Sequence, residues 1–286
     1  MSTPDIMKTN TPVGPTFVAG FILCSLGIAN AQNLVGGGSA YTNPFSPNTT
    51  VTHDVPSNGL LNLTLDNGTT QGSSGIWDLS AQGGANLTVL FTELVNSGAQ
   101  TRLINNTLEF NLSNAPGAVL SNLGIGASIH YAWGASSTFD TSGSVITFLP
   151  NTRYSVSFNV EGNNGLLGTV AGVVPQFYFE LIDGSGNALD SNGYGTLINV
   201  AGLLGTGVPS GTVNLTFDTG SIAPTGALGV RFTGDTLVGA TALGIGTNFA
   251  TVDGLNITAG PVPEPTGTLM LAATAGMFLA RRRRQA

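Results

Sequence analysis

Residues 153–160 read RYSVSFNV, and this stretch decides the fold class. Large apolar side chains alternate with polar ones along it, and the apolar set is Tyr154, Val156, Phe158 and Val160. A period of two places one set on a buried face and the other towards solvent, as in a half-buried β-strand. The preceding residues 149–152, LPNT, supply the proline and asparagine of a turn. We therefore predict a core strand over residues 153–160.

Similar short apolar segments recur along the chain. They are residues 61–65, 75–79, 85–91, 107–112, 129–133, 145–148, 176–182, 212–217, 228–232 and 249–258. Asp66-Asn67-Gly68 and the DGSGN of residues 183–187 predict hairpin turns. Between residues 32 and 260 the apolar pattern favours strands over amphipathic helices. The sequence therefore predicts an all-β protein with an antiparallel β-sandwich.

The segment from Val145 to Thr258 resembles the jelly-roll sandwiches of carbohydrate-binding modules. The resemblance is carried by LPNTRYSVSF at residues 149–158, FELIDG at 179–184 and FATVDGL at 249–255. In such domains these pieces are a core strand, an edge hairpin and the closing strand. The resemblance covers under half of the chain and implies a jelly-roll-like fold for a domain that we place at residues 32–260.

The predicted domain is acidic. It contains three arginines, no lysine and thirteen acidic residues, which gives a net charge of −10. Nucleic acids and anionic membranes need clustered Lys or Arg, so neither is expected as a partner of this domain. The chain's one cysteine, Cys24, precedes the domain, so disulfides and thiol chemistry are excluded from it.

The amino end has the pattern of an export signal. Residues 17–28 form an apolar or small-residue run, and Ala29-Asn30-Ala31 is an A-x-A cleavage pattern. Cleavage after Ala31 makes Gln32 the first mature residue. Residues 1–31 are therefore a predicted signal peptide, and a start at Met7 would remove Asp5 from a region that should be positively charged.

The carboxyl end, residues 261–286, contains three consecutive features. Pro263-Glu264-Pro265 comes first, followed by an uncharged apolar run at residues 266–280 and by Arg281, Arg282, Arg283 and Arg284. The apolar run is short against the roughly 20 residues of a full membrane span, and snorkelling arginines make up part of the difference. The arginines resist translocation and should stay cytoplasmic. The two prolines keep their segment extended and accessible to a processing enzyme.

This order of features resembles the PEP-CTERM sorting signal of Gram-negative bacteria. The resemblance covers under a tenth of the chain. It implies an exosortase as partner, transient insertion of a single transmembrane helix, and release to the cell surface or extracellular matrix. The alternative is an ordinary membrane anchor that follows a chance Pro-Glu-Pro.

The sequence offers little material for catalysis or metal binding. Its histidines are His53, beside Asp54, and His130, and no Gly-x-Ser-x-Gly elbow accompanies them. We interpret both histidines as structural, whereas a carboxylate pair for glycoside cleavage stays open. Asp183, Asn187 and Asp190 are weak Ca²⁺ candidates, although a hairpin turn explains the first two as well. No cofactor is expected.

Three aromatic residues are candidates for a sugar platform: Trp77, Tyr131 and Trp133. Aromatic rings stack on the C–H faces of sugars, but large aromatics more often anchor the core of a sandwich. We expect core packing as their main use.

Together these features predict a non-enzymatic, exported protein of the cell surface or exopolysaccharide matrix. The alternatives are a glycan-binding module and a secreted polysaccharide-acting enzyme. An exposed aromatic strip would favour the module, and a convergent carboxylate pair in a groove would favour the enzyme.

Overall fold

The computed structural model describes residues 31–56, 59–114, 128–141, 144–162, 176–188, 195–198, 210–239 and 248–262. The predicted signal peptide up to Asn30 and the predicted tail from Pro263 onward lie outside these residues. Regular structure in the described ranges consists of β-strands. These ranges contain no helix long and apolar enough to cross a membrane.

The strands follow one another in short steps along the chain. They are β1 Gln32–Val35, β2 Thr49–Thr52, β3 Leu61–Ser74, β4 Trp77–Val89, β5 Thr92–Ile104, β6 Thr107–Leu112, β7 Ser128–Thr138, β8 Asp140–Thr141, β9 Ser144–Val145, β10 Thr152–Gly162, β11 Gln176–Ile182, β12 Gly195–Ile198, β13 Ser210–Asp218, β14 Gly229–Gly239 and β15 Asn248–Pro261. Strand β10 contains the predicted core strand, and β6 and β11 have the predicted bounds. The period-two pattern therefore located these elements correctly.

The predicted turn at Asp66-Asn67-Gly68 is wrong. Strand β3 continues through it to Ser74, and the register against β4 shifts between Asp66 and Thr69. Gly68 N donates a hydrogen bond to Asp66 Oδ1 at 2.8 Å, so the turn-forming residues make a bulge inside the strand. The hairpin closes instead at residues 75 and 76.

The strands form two faces, which we call the front and back sheets. The front sheet has the order β12-β11-β14-β7-β4-β3, and the back sheet has the order β13-β10-β15-β6-β5-β2 with β1 beside β15. Strand β5 joins them, because Gly98 pairs with Gly84 of β4 whereas Ala99 pairs with Leu112 of β6. A Cβ atom at Gly98 would lie 1.7 Å from the His53 carbonyl oxygen, so this corner requires glycine.

Aromatic side chains fill the space between the two sheets. Phe158 of β10 contacts Phe179 of β11 and Phe232 of β14, with ring centroids 5.0 and 5.3 Å apart. Phe249 of β15 stacks on Trp133 of β7 at 4.6 Å. All five side chains are buried. Because residues of both sheets share this core, the predicted all-β, antiparallel, sandwich-like architecture is confirmed.

Candidate functional site

The outer face of the front sheet forms an open groove. Along β4, β7, β14 and β11, buried residues alternate with partly exposed ones, so every second side chain points away from the core. The groove has a volume of about 510 Å³ and is lined by residues of β3, β4, β7 and β14. It is the main concavity that we consider as a functional site.

Cross-strand pairing sets the polar side chains of this face in rows. One row runs Ser73, Asp78, Ser136, Arg231 and Glu180, and the next runs Gln71, Ser80, Gly134, Thr233 and Tyr178. The members of a row are direct neighbours although they come from β3, β4, β7, β14 and β11. The groove therefore presents hydroxyl, amide, carboxylate and guanidinium groups in a regular array about 4.8 Å apart.

The floor of the groove is kept low by small residues. Gly134 lies between Ser80 and Thr233 in the second row. A Cβ atom at position 134 would approach Ser80 Oγ to 2.4 Å. The absence of larger side chains here leaves room for an extended ligand across the strands.

Arg231 is the cation of the described groove lining. Its Nε atom donates to Glu180 Oε2 at 2.5 Å, and its Nη1 atom donates to the Gly186 carbonyl oxygen at 3.2 Å. The side chains of Arg231 and Glu180 are 34% and 26% exposed. The guanidinium is thus fixed in position at the groove edge with polar surface still open to solvent.

The three aromatic candidates do not lie in this groove. Trp77, Tyr131 and Trp133 are all buried on the core side of the front sheet. The indole N–H groups donate to the carbonyl oxygens of Pro44 and Asn111, at 2.6 and 2.7 Å. Burial raises the pKa of the Tyr131 hydroxyl to about 12. As a sugar platform this set is therefore wrong, because odd-numbered residues of β4 and β7 face inward.

Sequence reasoning missed Tyr178. It pairs across β11 and β14 with Thr233 on the outer face, between the buried Phe177 and Phe179. Alternation in residues 176–182 could have found it, since every second residue there belongs to the solvent side. Tyr178 is the aromatic side chain that the structure places beside the groove.

The two histidines occupy different places. Both ring nitrogens of the buried His53 have partners, since Nδ1 lies 3.1 Å from Thr70 Oγ1 and Nε2 lies 3.1 Å from Asp66 Oδ2. His130 Nε2 lies 3.2 Å from Asp235 Oδ2 on the outer face of the front sheet. In the described ranges, no group of three or more His, Cys, Asp or Glu side chains is arranged to hold a metal ion.

The predicted turn at residues 183–187 is confirmed. Asp183 N donates to the Asn187 carbonyl oxygen at 2.9 Å. Asp183 Oδ1 accepts hydrogen bonds from Ser185 N and Asn187 N, both at 2.9 Å, and these bonds are part of what lowers the Asp183 pKa. Asn187 Nδ2 donates to the other Asp183 oxygen at 3.1 Å. Asp190 lies outside the described residues, so calcium binding at this turn stays a prediction.

The residues assigned to export lie almost wholly outside the described ranges. These are Ala29, Pro263, Glu264, Pro265 and Arg281 to Arg284. Ala31 and Gln32 are described, and β1 begins at Gln32, paired with Ala259 near the end of β15. The described chain therefore enters and leaves the sandwich side by side.

No protein-family model and no curated protein matches the sequence. Among solved structures, the cyclase from Fischerella sp. TAU has a TM-score of 0.31 and 15% identity, over 75% of this chain and 100% of that one. The carbohydrate-binding module TmCBM61, solved with β-1,4-galactotriose, has a TM-score of 0.27 and 13% identity, over 79% and 97%.

The enzymatically active domain of bacteriophage CBA120 tailspike protein 4 has a TM-score of 0.29 and 12% identity. The match covers 79% of this chain and only 21% of the tailspike chain. All of these are remote likenesses, and the site of this chain is defined by its own geometry.

Proposed function

We propose that this protein is a non-enzymatic, exported surface or matrix protein that binds a polysaccharide in the groove of its front sheet. The observation that carries the proposal is the pair of polar rows across that groove. Hydroxyl, amide and charged side chains at strand spacing suit the hydroxyl groups of a sugar chain, and Tyr178 offers a ring face beside them. The groove is open along the sheet, which suits a polymer more than a small molecule.

The charge of the groove favours neutral polysaccharides over acidic ones. Asp78 and Glu180 are its acids and Arg231 is the cation of the described lining. The domain around it carries a net charge of −10. An anionic chain would be repelled over the distance of the Debye length, about 8 Å at physiological salt.

The positions of the groove carboxylates support binding without cleavage. Asp78 and Glu180 stand in one row but three strands apart, which corresponds to about 14 Å. Glycoside hydrolases hold their two carboxyl groups about 5–9.5 Å apart. The two carboxylates are therefore too far apart to act as an acid–base pair on one bond.

A polysaccharide array tests this function. The purified protein should bind one or more neutral polysaccharides, with weaker signals on acidic ones, and should release no reducing ends on prolonged incubation. Binding restricted to acidic polysaccharides would contradict the groove chemistry. Release of reducing sugars that is lost in an Asp78→Asn variant would contradict the non-enzymatic assignment.

Export and sorting are a separate part of the proposal, supported by residue pattern alone. The exported protein should begin at Gln32 and, after processing by an exosortase, end near Pro265. Mass spectrometry of both ends measures this, with Glu264→Ala as the variant that inserts but is not processed. Retention of residues 269–280 in a host that has the enzyme would make the tail a plain anchor.

A further inference from the structure

The first part of β3 is a free, unprotected sheet edge. Strand β3 pairs with β4, and within the described residues no other strand pairs with β3. Proteins usually protect such edges with lysine, proline, inward charges or bulges. Residues 60–65, LLNLTL, contain no charge and no proline. The bulge begins only at Asp66, so the segment before it is regular and accessible.

Apolar side chains accumulate at this edge. Leu60, Leu61 and Leu65 are 54%, 72% and 38% exposed. The adjacent β4–β5 turn adds Leu90 and Phe91, which are 71% and 77% exposed. Leu90 N donates to the Leu60 carbonyl oxygen, so the turn and the edge form one surface.

The β4–β5 turn has unusual residues for its backbone conformation. Leu90 and Phe91 have φ values of 52° and 62°, in the left-handed region that large side chains rarely adopt. The β5–β6 turn has the same conformation with Asn105 and Asn106, at φ 51° and 61°, and asparagine tolerates it well. Bulky apolar residues held in a strained turn and left in solvent indicate a contact that the single chain does not satisfy.

The edge sequence is self-complementary. If two copies of residues 61–65 pair antiparallel about Leu63, Leu61 lies opposite Leu65 of the other copy and Asn62 lies opposite its Thr64. Apolar residues then meet apolar residues, and the amide meets a hydroxyl. A two-fold interface requires this kind of self-matching surface. We propose that residues 60–65 of β3 pair antiparallel with the same segment of a second copy of this chain, with Leu63 on the two-fold axis.

The exposed area and the charge both fit a second copy. The five side chains expose on the order of 600 Å² per copy, so mutual covering removes up to roughly 1,200 Å², which clears the lower limit for a specific interface. In this register Asp66 lies opposite Leu60, and no two like charges face each other. The pairing also joins two front sheets into one, and, on the proposed function, places two grooves on a common face where one polysaccharide could engage both.

Sedimentation equilibrium of the purified full chain, without glycan, tests the dimer. The wild-type chain should sediment as a dimer of the 29.0 kDa protomer. Leu61→Lys should raise the dimer dissociation constant by roughly tenfold or more, because the ammonium group would face Leu65 of the other copy. Adding Leu65→Glu to that variant should restore the dimer by placing opposite charges in each pair. Ile222→Lys, at a site 88% exposed elsewhere, is the control that should remain dimeric.

Cysteine cross-linking tests the register. In a Cys24→Ser background, Leu63→Cys should form a disulfide-linked dimer on oxidation, whereas Leu61→Cys alone should not. Circular dichroism confirms that each variant keeps its β structure. A wild-type chain that stays monomeric overturns the proposal, as does a dimer that survives Leu61→Lys. A monomer that cosediments with neutral lipid vesicles also overturns it and assigns the apolar edge to a lipid surface.

Discussion

Arg231 of β14 and Glu180 of β11 are direct cross-strand neighbours, and the guanidinium of the first faces a single carboxylate oxygen of the second through Nε and Nη2. The remaining Nη1 donates to the Gly186 carbonyl oxygen in the turn that follows β11. One side chain thus ties two strands and a turn together at the groove edge. It also provides the cation among the described groove-lining residues.

We predict that Arg231→Lys weakens polysaccharide binding more than it weakens the fold. A lysine cannot hold Glu180 and Gly186 together, because it is a point charge without the planar fork of donors. The free energy of unfolding should fall by about 0.5–1 kcal/mol, as expected for a partly exposed pair. Chemical denaturation and calorimetric titration measure the two effects.

Arg153→Lys is the matched control for that variant. Arg153 donates to both oxygens of Asp218 on the back sheet, at 2.7 and 2.6 Å, with similar exposure. This variant should lose a comparable amount of stability and keep its affinity for polysaccharide. Equal loss of affinity in both variants would mean that the groove does not carry the binding.

Phe232→Ala should destabilise the protein strongly. Its ring packs against Phe45, Trp77, Phe158, Phe177 and Phe179 at the centre of the sandwich. Removal of a fully buried phenylalanine costs about 3–5 kcal/mol through lost burial and the cavity left behind. Ile222→Ala should change the free energy of unfolding by less than about 0.5 kcal/mol, since this side chain is 88% exposed. A small effect at Phe232 would contradict the observed core.

Alkaline pH should destabilise the protein through Tyr131. Its pKa rises from 10.0 to about 12 on folding because burial disfavours the phenolate, a change partly offset by its hydrogen bond to Ser97. The unfolded chain therefore loses this proton first. The stabilisation is fully present below pH 10 and is lost as the pH rises towards 12.

The size of that effect is about 3 kcal/mol for a two-unit difference in pKa. Unfolding measured at pH 8 and at pH 11.5 should therefore differ less in Tyr131→Phe than in the wild-type protein. Tyr178→Phe, a change on the outer face, should keep the wild-type difference. An unchanged pH dependence in Tyr131→Phe would show that other groups cause the alkaline loss.

The sequence predicted the strands well because a period of two is a local property. The alternation at residues 153–160 and 107–112 identifies β10 and β6 without knowledge of their neighbours. The failure at Asp66-Asn67-Gly68 has a non-local cause. Those residues suit a turn, but β4 continues alongside β3 and the turn preference is satisfied as a bulge.

The groove could not be predicted because its rows join distant parts of the chain. Asp78, Ser136, Arg231 and Glu180 become neighbours only through the strand order, which the alternating pattern does not specify. The pattern does specify which face each residue takes. It could therefore have placed Tyr178 outside and Trp77 inside, but residue type was given more weight than position along the strand.

The most direct test of polysaccharide binding at the front sheet is to fill the groove. Thr233→Trp places an indole on the groove floor beside Gly134, whereas Ser155→Trp places the same group on the outer face of the back sheet. Both variants and the wild-type protein are titrated with a polysaccharide that the wild-type protein binds. Binding should be lost in Thr233→Trp and unchanged in Ser155→Trp. Unchanged binding in Thr233→Trp would contradict the proposed site.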